Sequence, residues 1–265
     1  MYNAIKKFIQ HGTVTVNYPK KPIKSSFITG DPEFDMSKCN QCQTCVKVCP
    51  TKAIIFEDSQ LSEKVPGVNV DECIFCRLCE ESCPSAAIKM TNRFELAQKD
   101  RQTLRTTPLY VKESEVEGLS YELLGQQLKE NISKYFGKSL HIREVDAGSC
   151  NACDNEIQAL NGPYNDIERF GIHFVASPRH ADMLLVTGPV ARNMEEALIK
   201  TYNATPSPKL VVAVGACACS GGIFKDSYAT RNGIDTIIPV DVYIPGCPPR
   251  PQAIIYGILK AIGRK

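Results

Sequence analysis

CNQCQTCVKVCPTKAI, residues 39–54, and CIFCRLCEESCPSAAI, residues 73–88, are two copies of one cysteine pattern. When Cys39 is aligned with Cys73, every cysteine coincides without a gap, together with the proline after the last cysteine and the Ala-Ile pair beyond it. Internal identity of this kind indicates a duplicated structural unit. Each copy has the spacing C-x-x-C-x-x-C-x-x-x-C-P, so three thiols share one short loop and a fourth follows at the start of the next segment.

This spacing is typical of bacterial two-cluster ferredoxins, in which the fourth cysteine of each run ligates the other cluster. The predicted ligands of one 4Fe–4S cluster are Cys39, Cys42, Cys45 and Cys83, and those of the other are Cys73, Cys76, Cys79 and Cys49. A pair of zinc sites, the alternative, needs ligands grouped in two pairs rather than in triplets with a crossing fourth. We therefore expect an α+β two-cluster ferredoxin domain that carries electrons.

The composition of the chain excludes several classes of protein. The chain has 265 residues, 43% of them apolar, which suits about two domains. A formal net charge of +2, with the charged residues dispersed, argues against nucleic acid as a partner. No apolar run reaches membrane-spanning length and no signal peptide is recognisable, so we expect a cytoplasmic protein. In a reducing cytosol, 13 cysteines favour metal binding over a disulfide framework.

The sequence pattern divides the chain into segments. They are an N-terminal amphipathic segment at 1–30, the ferredoxin domain at 31–97, a polar linker at 98–119 and a second domain at 120–265. In the N-terminal segment, Tyr2, Ile5 and Phe8 share one helical face. That face predicts packing either on a membrane subunit or lipid surface, or on the protein's own domain.

From residue 139 onward, short β-rich runs alternate with helical stretches. The strand candidates are SLHIREVD (139–146), GIHFVAS (171–177), ADMLLVTG (181–188), KLVVAVG (209–215) and VDVYIPG (240–246). This alternation predicts an α/β flavodoxin-like domain with a parallel, doubly wound sheet. In such sheets, ligands bind beyond the carboxyl ends of the strands.

The remaining cysteines all follow strand candidates. Cys150 and Cys153 follow the first strand, Cys217 and Cys219 follow the fourth, and Cys247 follows the fifth. We expect them to converge at one edge of the sheet, although they are far apart in sequence. Four thiolates there can hold a third 4Fe–4S cluster.

Three other interpretations of this edge are open to the sequence. A redox disulfide between Cys150 and Cys153 leaves Cys217 and Cys247 unexplained. The GACACSGG loop at 215–222 is rich enough in glycine to bind the phosphate of a flavin, but it lacks a nucleotide-binding fingerprint. A structural zinc site is stereochemically suitable, yet a ferredoxin unit on the same chain favours a redox centre.

Four stretches resemble a known family: SLHIREVDAGSCNACDNEIQAL, FGIHFVASPRHADMLLVTGPV, VGACACSGG and VDVYIPGCPPRP. They look like the small subunit of group 4 membrane-bound nickel–iron hydrogenases of the formate hydrogenlyase and hydrogenase-4 type. They are similar, more distantly, to the complex I subunit that carries the terminal cluster next to quinone. The N-terminal part, with GTVTVNYP and NRFELA, resembles the two-cluster ferredoxin subunit of the same complexes. The two resemblances imply a fusion of subunits that are normally separate.

The resemblance favours the hydrogenase branch, because the complex I relatives have adjacent cysteines where this chain has C-x-x-C-x-x-E, ending at Glu156. It implies that the ligands of the proximal cluster are Cys150, Cys153, Cys217 and Cys247. Cys219 is then a spare, buried side chain. Two roles are open for Glu156: it belongs to a proton path, or its negative charge complements the positive start of its helix. Two positions are likewise open for Arg250: beside the cluster, where its charge acts on the cluster, or on the surface.

The implied function is that of an electron-transfer subunit with three 4Fe–4S clusters, which relays electrons to or from the nickel–iron site of a partner large subunit. The other implied partners are membrane subunits and a donor such as formate dehydrogenase, carbon monoxide dehydrogenase or ferredoxin. The implied location is peripheral, on the cytoplasmic face of the membrane. Alternatives are a complex I-like NADH or ferredoxin:quinone oxidoreductase module and a non-enzymatic metal-binding scaffold. Since one spare cysteine cannot build a nickel–iron centre, catalysis is expected in another chain.

Overall fold

The computed structural model describes residues 10, 12–19, 21, 23, 29–58, 64–105 and 139–263. The strands are β1 (Pro32–Phe34), β2 (Ile54–Asp58), β3 (Lys64–Val68), β4 (Ile88–Met90), β5 (Leu140–Asp146), β6 (Ile172–Phe174), β7 (Met183–Thr187), β8 (Leu210–Val214) and β9 (Val242–Ile244). The α-helices are α1 (Thr44–Val48), α2 (Leu78–Glu81), α3 (Ala152–Gln158), α4 (Arg192–Ala204), α5 (Ala216–Ser220) and α6 (Pro251–Ile262). None of the described helices is long and apolar enough to cross a membrane.

Two parts of the sequence-based prediction lie outside the described residues. They are the apolar helical face of the N-terminal segment, within 1–9, and most of the predicted linker with the start of the second domain, within 106–138. The proposed domain boundaries there stay predictions. Below, the described residues 29–97 are called the ferredoxin unit and 139–263 the sheet unit.

The two copies of the repeat exchange strands in the ferredoxin unit. Strand β1 of the first copy pairs antiparallel with β4 of the second, and β2 pairs antiparallel with β3. The registers are equivalent, because Phe34 lies opposite Ile88 and its counterpart in the second copy, Val68, lies opposite Ile54. Buried apolar side chains from both copies share one core. Neither copy therefore completes a sheet or a core by itself.

The sheet unit is a parallel sheet with strand order β6-β5-β7-β8-β9. Counted within the unit this is 2-1-3-4-5, the order of flavodoxin-like folds. All five strand candidates of the sequence form strands. Helix α4 follows β7 and helix α6 follows β9, in agreement with the predicted alternation of β-rich runs and helical stretches. The expected α+β ferredoxin fold followed by an α/β parallel sheet is confirmed.

The sheet is covered on both faces, which explains why its central strands are apolar throughout. Every residue of β7 and of β8 is buried. Alternate residues enter different cores, as the pleat requires: Met183 packs in the core that contains α6, and Leu184 in the core on the other face. A strand buried on both faces needs an unbroken apolar run rather than alternation.

Residues from the N-terminal half pack closely on the sheet unit. Gln98 and Tyr243 exchange two backbone hydrogen bonds of 3.0 and 2.8 Å, which cover the outer edge of β9. Tyr18, only 1% exposed, lies in the main core of the sheet unit, and its hydroxyl donates to Glu95 Oε1 at 2.7 Å. Leu104, within the predicted linker, is also buried. The described start of the linker is thus part of the packed structure.

Candidate iron–sulfur sites

Two cavities in the ferredoxin unit separate its cysteines into the two predicted sets. One cavity is lined by all four members of the first set, Cys39, Cys42, Cys45 and Cys83. The other is lined by all four members of the second set, Cys49, Cys73, Cys76 and Cys79. Each cavity therefore receives its fourth thiol from the opposite copy of the repeat, as the crossing pattern predicts.

The loops around these cavities have left-handed backbone at non-glycine residues. These residues occur in pairs at equivalent positions of the two copies: Gln41 with Phe75, Gln43 with Arg77, and Lys52 with Ala86, all with φ between 49° and 68°. Left-handed backbone is costly for residues with a Cβ atom and is retained only where the surroundings impose it. Its recurrence in both copies indicates that each loop is held in one specific shape around its cavity.

Backbone amides of these loops point at the sulfur atoms. Ala53 N donates to Cys49 Sγ and Ala87 N donates to Cys83 Sγ, both at 3.3 Å. Phe75 N donates to Cys73 Sγ at 3.4 Å. Amides aimed at sulfur favour the thiolate form, and hydrogen bonds to cluster sulfurs are one of the factors that set a cluster's potential.

Most of the thiol pKa values that change in the ferredoxin unit are raised by burial. Burial raises the pKa of Cys73 to about 12 and that of Cys79 to about 11, with the neighbouring thiols adding to the effect. At Cys83, burial acts in the same direction, but hydrogen bonds with Ser85 and Ala87 outweigh it and lower the pKa. The Thr44 hydroxyl lowers the pKa of Cys42. A bound iron–sulfur cluster would supply the positive charge that favours the thiolate form of the buried thiols Cys73 and Cys79.

The sheet unit brings four further thiols together at the carboxyl edge of its strands. Cys150 and Cys153 come from the turn after β5 and from α3, Cys217 from α5 after β8, and Cys247 from the loop after β9. The charge of each thiolate acts on the pKa of the others: every pair among the four interacts electrostatically. The structure thus assembles at one place the four residues that the family resemblance implies as ligands.

Burial again raises the thiol pKa values at this edge. The pKa of Cys217 rises to about 11, and those of Cys153 and Cys247 also rise, in each case through burial first and the other thiols second. At Cys217 the Ile223 amide partly opposes the increase. A bound cluster would offset this mutual repulsion of thiolates.

Gly215 makes room for the third site. Its φ is +92°, and a Cβ atom there would lie 2.6 Å from Cys153 Sγ. Only glycine combines this backbone conformation with so close an approach of a sulfur atom. The thiol site and the backbone turn at the end of β8 therefore both require glycine at position 215.

Cys219 packs in the core of the sheet unit rather than at the strand edge that holds the four thiols. It is fully buried, and its Sγ donates to Ile244 O at 3.6 Å, within the core on the far side of the sheet from α6. Burial raises the pKa of this thiol well above its ordinary value. Its position suits the predicted role as a spare core side chain.

The turn that presents Cys150 and Cys153 is held by two carboxylates, the exposed Asp146 and the buried Asp154. Asp146 Oδ1 accepts hydrogen bonds from Gly148 N at 2.8 Å and Ser149 N at 2.6 Å. Asp154, directly after Cys153, accepts from Thr187 Oγ1 at 2.7 Å and from Ser149 Oγ. Burial, followed by the hydrogen bond and charge of Asp154, raises the pKa of Glu144 to about 7.

Glu156 and Arg250 line one groove beside Cys247. The groove also contains Ile74 and Phe75 from the second ferredoxin loop. Burial raises the pKa of Glu156, and the charge of Arg250 partly opposes the increase. Arg250 Nε donates to Gln252 Oε1 at 2.8 Å at the start of α6. Both residues are thus near the third site and half-buried, in the groove between the two units.

The donor sets fit iron–sulfur clusters better than single metal ions. In the described ranges, no three histidine, cysteine or carboxylate side chains converge to hold one ion. A cubane has four irons, each with its own thiolate, so its ligands surround a volume instead of meeting at a point. Two of the groups each line one cavity with four cysteines, and the third consists of four cysteines that interact pairwise. No oxygen or nitrogen ligand is needed in any of them.

Sequence reasoning missed several residues around these sites. Asp71, Arg101 and Ser220 connect the second ferredoxin loop to the sheet unit, and Glu144 packs behind the turn of the third site. The repeat does not identify Asp71, because the equivalent position of the first copy is Ser37; its only signal in the sequence is its place two residues before Cys73. The others are ordinary polar residues whose partners lie far away in the sequence.

Two family models match the chain. Residues 150–261 match the family described as NADH ubiquinone oxidoreductase, 20 Kd subunit, and residues 38–88 match the 4Fe-4S dicluster domain. The probable membrane-bound hydrogenase subunit mbhJ of Pyrococcus furiosus is 50% identical over 131 residues, which are 49% of this chain and 78% of that protein. The chain belongs to the small-subunit family that membrane-bound hydrogenases and complex I share.

Two further members of this small-subunit family show how the similarity is distributed. Formate hydrogenlyase subunit 7 of Escherichia coli is 48% identical over 136 residues, or 51% of this chain and 53% of that protein. An NADH-quinone oxidoreductase subunit of Geobacter metallireducens is 53% identical over 108 residues, or 41% of this chain and 63% of that protein. The chain thus spans between half and two thirds of these two relatives.

Proposed function

We propose that this chain is an electron-transfer subunit that relays electrons through three 4Fe–4S clusters to or from the nickel–iron site of a large subunit in a membrane-bound hydrogenase complex. The observation that carries the proposal is the grouping of twelve of its 13 cysteines into three sets of four. The clusters would supply one-electron chemistry, and the protein supplies their ligands and spacing.

The order of the sites supports a linear route. Cys45 of the first set acts on the pKa of Cys79 of the second, and both side chains are 8% exposed. Cys76 of the second set acts on the pKa of Cys247 of the third. Ile74 and Phe75, beside the second set, also line the groove of Cys247. The second set is therefore a neighbour of both the first and the third, which suits a relay in the order first, second, third. We infer that electrons enter or leave the chain near the first set and exchange with the large subunit near the third.

The membrane complex, the donor and the location remain part of the proposal. The similarity to hydrogenase subunits supports a peripheral place on a membrane complex, with formate dehydrogenase, carbon monoxide dehydrogenase or a soluble ferredoxin as donor. A complex I-like quinone reductase module is the second candidate, supported by the 53% identity to an NADH-quinone oxidoreductase subunit. Identification of the large subunit that copurifies with the chain distinguishes them: nickel in that subunit supports the first candidate, and a quinone-reducing partner without nickel supports the second.

The proposal is tested by analysis of the anaerobically purified chain. Three clusters require about twelve irons and about twelve acid-labile sulfides per chain. The chain alone should exchange electrons with redox dyes, contain no nickel and evolve no dihydrogen. Iron near eight per chain, or zinc in place of the third cluster, would remove the third site from the proposal. Sustained dihydrogen evolution by the isolated polypeptide would contradict the assignment of catalysis to a partner.

A further inference from the structure

A buried group of charged residues joins the second ferredoxin loop to the sheet unit. Asp71 has no exposed side-chain surface, and its Oδ2 accepts hydrogen bonds from Arg101 Nε at 2.8 Å and Arg105 Nε at 3.0 Å. The backbone oxygen of Asp71 accepts a third hydrogen bond, from Ser220 Oγ, at 2.7 Å. The turn before the second ligand run is therefore attached through both its side chain and its backbone.

Arg101 extends this attachment into the sheet unit. Its Nη1 donates to Asp235 Oδ2 at 2.9 Å, and the hydroxyl of Tyr243, on β9, donates to the same oxygen at 3.3 Å. The Arg101 side chain is only 16% exposed. One guanidinium thus bridges two carboxylates that belong to different units, a task that suits the rigid, forked geometry of arginine.

The attached residues lie close to cluster ligands in the sequence. Asp71 is two residues before Cys73, Ser220 is three residues after Cys217, and Tyr243 is four residues before Cys247. A second contact lies beside the first, where Lys225 Nζ donates to Glu72 Oε1 at 2.8 Å. The bonds between the units are thus concentrated where the second and third cysteine sets approach each other.

We propose that Asp71 and Arg101 are positioning residues that hold the loop of Cys73 and Cys76 against the loops of Cys217 and Cys247, and so set the rate of electron exchange between the second and third clusters. This inference rests on the proposed function. Electron exchange between two metal centres slows steeply as their separation grows. A buried, geometrically exacting ion pair is one way to fix a single arrangement of two packed units.

The test compares two arginine variants of the full-length, cluster-loaded chain. Arg101→Gln removes the bridge between the units. Arg231→Gln is the matched control, because Arg231 Nη2 pairs with Glu195 Oε2 at 2.9 Å entirely within the sheet unit. Ser220→Ala is a milder variant that removes the hydroxyl bond to Asp71 O, together with the hydroxyl's bonds to Ala216 O and Gly222 N within its own loop, and leaves every charge in place.

Three measurements report on the arrangement: amide hydrogen exchange in residues 69–73, magnetic coupling between the reduced second and third clusters by electron paramagnetic resonance, and the rate at which the third cluster is reduced after the ferredoxin clusters. For Arg101→Gln we expect faster amide exchange, weaker coupling and a several-fold lower rate, at unchanged iron content. Ser220→Ala should shift all three in the same direction by less. Arg231→Gln, and the coupling between the first and second clusters in every variant, should match the wild type.

The inference is wrong if Arg101→Gln and Ser220→Ala both keep the wild-type coupling and rate. If Arg101→Gln fails to fold with its clusters, Ser220→Ala decides, and wild-type values in that variant overturn the inference. Failure of the proposed function looks different. In that case the wild-type chain itself lacks the third cluster or passes no electron to it.

Discussion

The ferredoxin unit and the sheet unit both group their thiols in sets of four, but they draw the members of each set from different distances along the sequence. In the ferredoxin unit, three ligands of each set lie within seven consecutive residues, and strand exchange brings the fourth. In the sheet unit, the thiols come from the ends of three strands, and the sequence from Cys150 to Cys247 contains most of the unit. The conformation of one loop thus positions three of the four thiols in each of the first two sets, whereas the four thiols of the third set are positioned by the whole parallel sheet.

This difference determines how many sites a single substitution affects. A change in one ferredoxin loop affects both clusters of that unit, because each copy of the repeat contributes to both cavities. A change at one strand end of the sheet unit affects the third site alone. Two variants test this distinction, and a third, with the smallest expected effect, tests the carboxyl group of Glu144 next to the turn of the third site.

Cys153→Ser should remove the third cluster and leave the ferredoxin pair. With three thiols remaining at the sheet edge, iron should fall from about twelve to about eight per chain. Iron analysis and electron paramagnetic resonance of the coupled ferredoxin clusters check the result. Cys219→Ala is the control, because its buried thiol faces the core, and it should keep all the iron. Loss of the third cluster in Cys219→Ala, with retention in Cys217→Ala, would show that the ligand in the 215–222 loop is wrongly assigned.

Gly215→Ala should weaken the third site without removing a ligand. The new Cβ atom would lie 2.6 Å from Cys153 Sγ, and the φ of +92° is unfavourable for alanine. We expect iron between the wild-type value and that of Cys153→Ser, with the ferredoxin signals intact. Gly67→Ala is the control in the ferredoxin unit, because its nearest contact would be an ordinary 3.5 Å to Ile55 Cγ1. Equal iron in the two variants would mean that close packing at Gly215 does not shape the site.

Glu144→Gln should change the pH dependence of stability. Burial, then Asp154, raises the pKa of Glu144 from 4.5 to about 7, so the protonated form is favoured in the folded state. The associated stability is present below pH 4.5 and is lost as pH rises through 7. Glutamine stays neutral, so the variant should gain thermal stability relative to the wild type at pH 8 and lose the advantage at pH 4.

Thermal unfolding of the two proteins at both pH values checks this small effect. Equal differences at pH 8 and pH 4 would show that the Glu144 carboxyl does not ionise within this range.

Much of the architecture was predictable because its signals are local. The duplicated cysteine runs and the apolar strand runs, such as LLVT in β7, need no knowledge of distant partners. The crossing of the fourth ligand also follows from the repeat itself, and the structure places Cys49 and Cys83 accordingly. The assignment of all twelve ligands stays a prediction until clusters are measured.

The remaining features depend on partners far away in the chain. Arg101 belongs to a run of polar residues that predicts a linker, and only its contacts with Asp71 and Asp235 give it a structural role. Tyr18 belongs to an N-terminal segment for which the sequence left the packing partner open, and it is buried in the core of the sheet unit. No periodicity in a short segment specifies which distant surface will cover it.

The exchange of strands between the two ferredoxin copies has a consequence for the timing of synthesis. While the ribosome has completed only the first copy, β1 has no partner, because residues 88–90 of β4 are not yet made. The thiols of Cys39, Cys42 and Cys45 are by then exposed to the cell without the fourth ligand, Cys83. Long-range pairing of this kind delays folding until the distant segment emerges. If the first set binds a cluster as proposed, we expect its assembly only after both copies have left the ribosome, with Cys39, Cys42 and Cys45 open to oxidation until then.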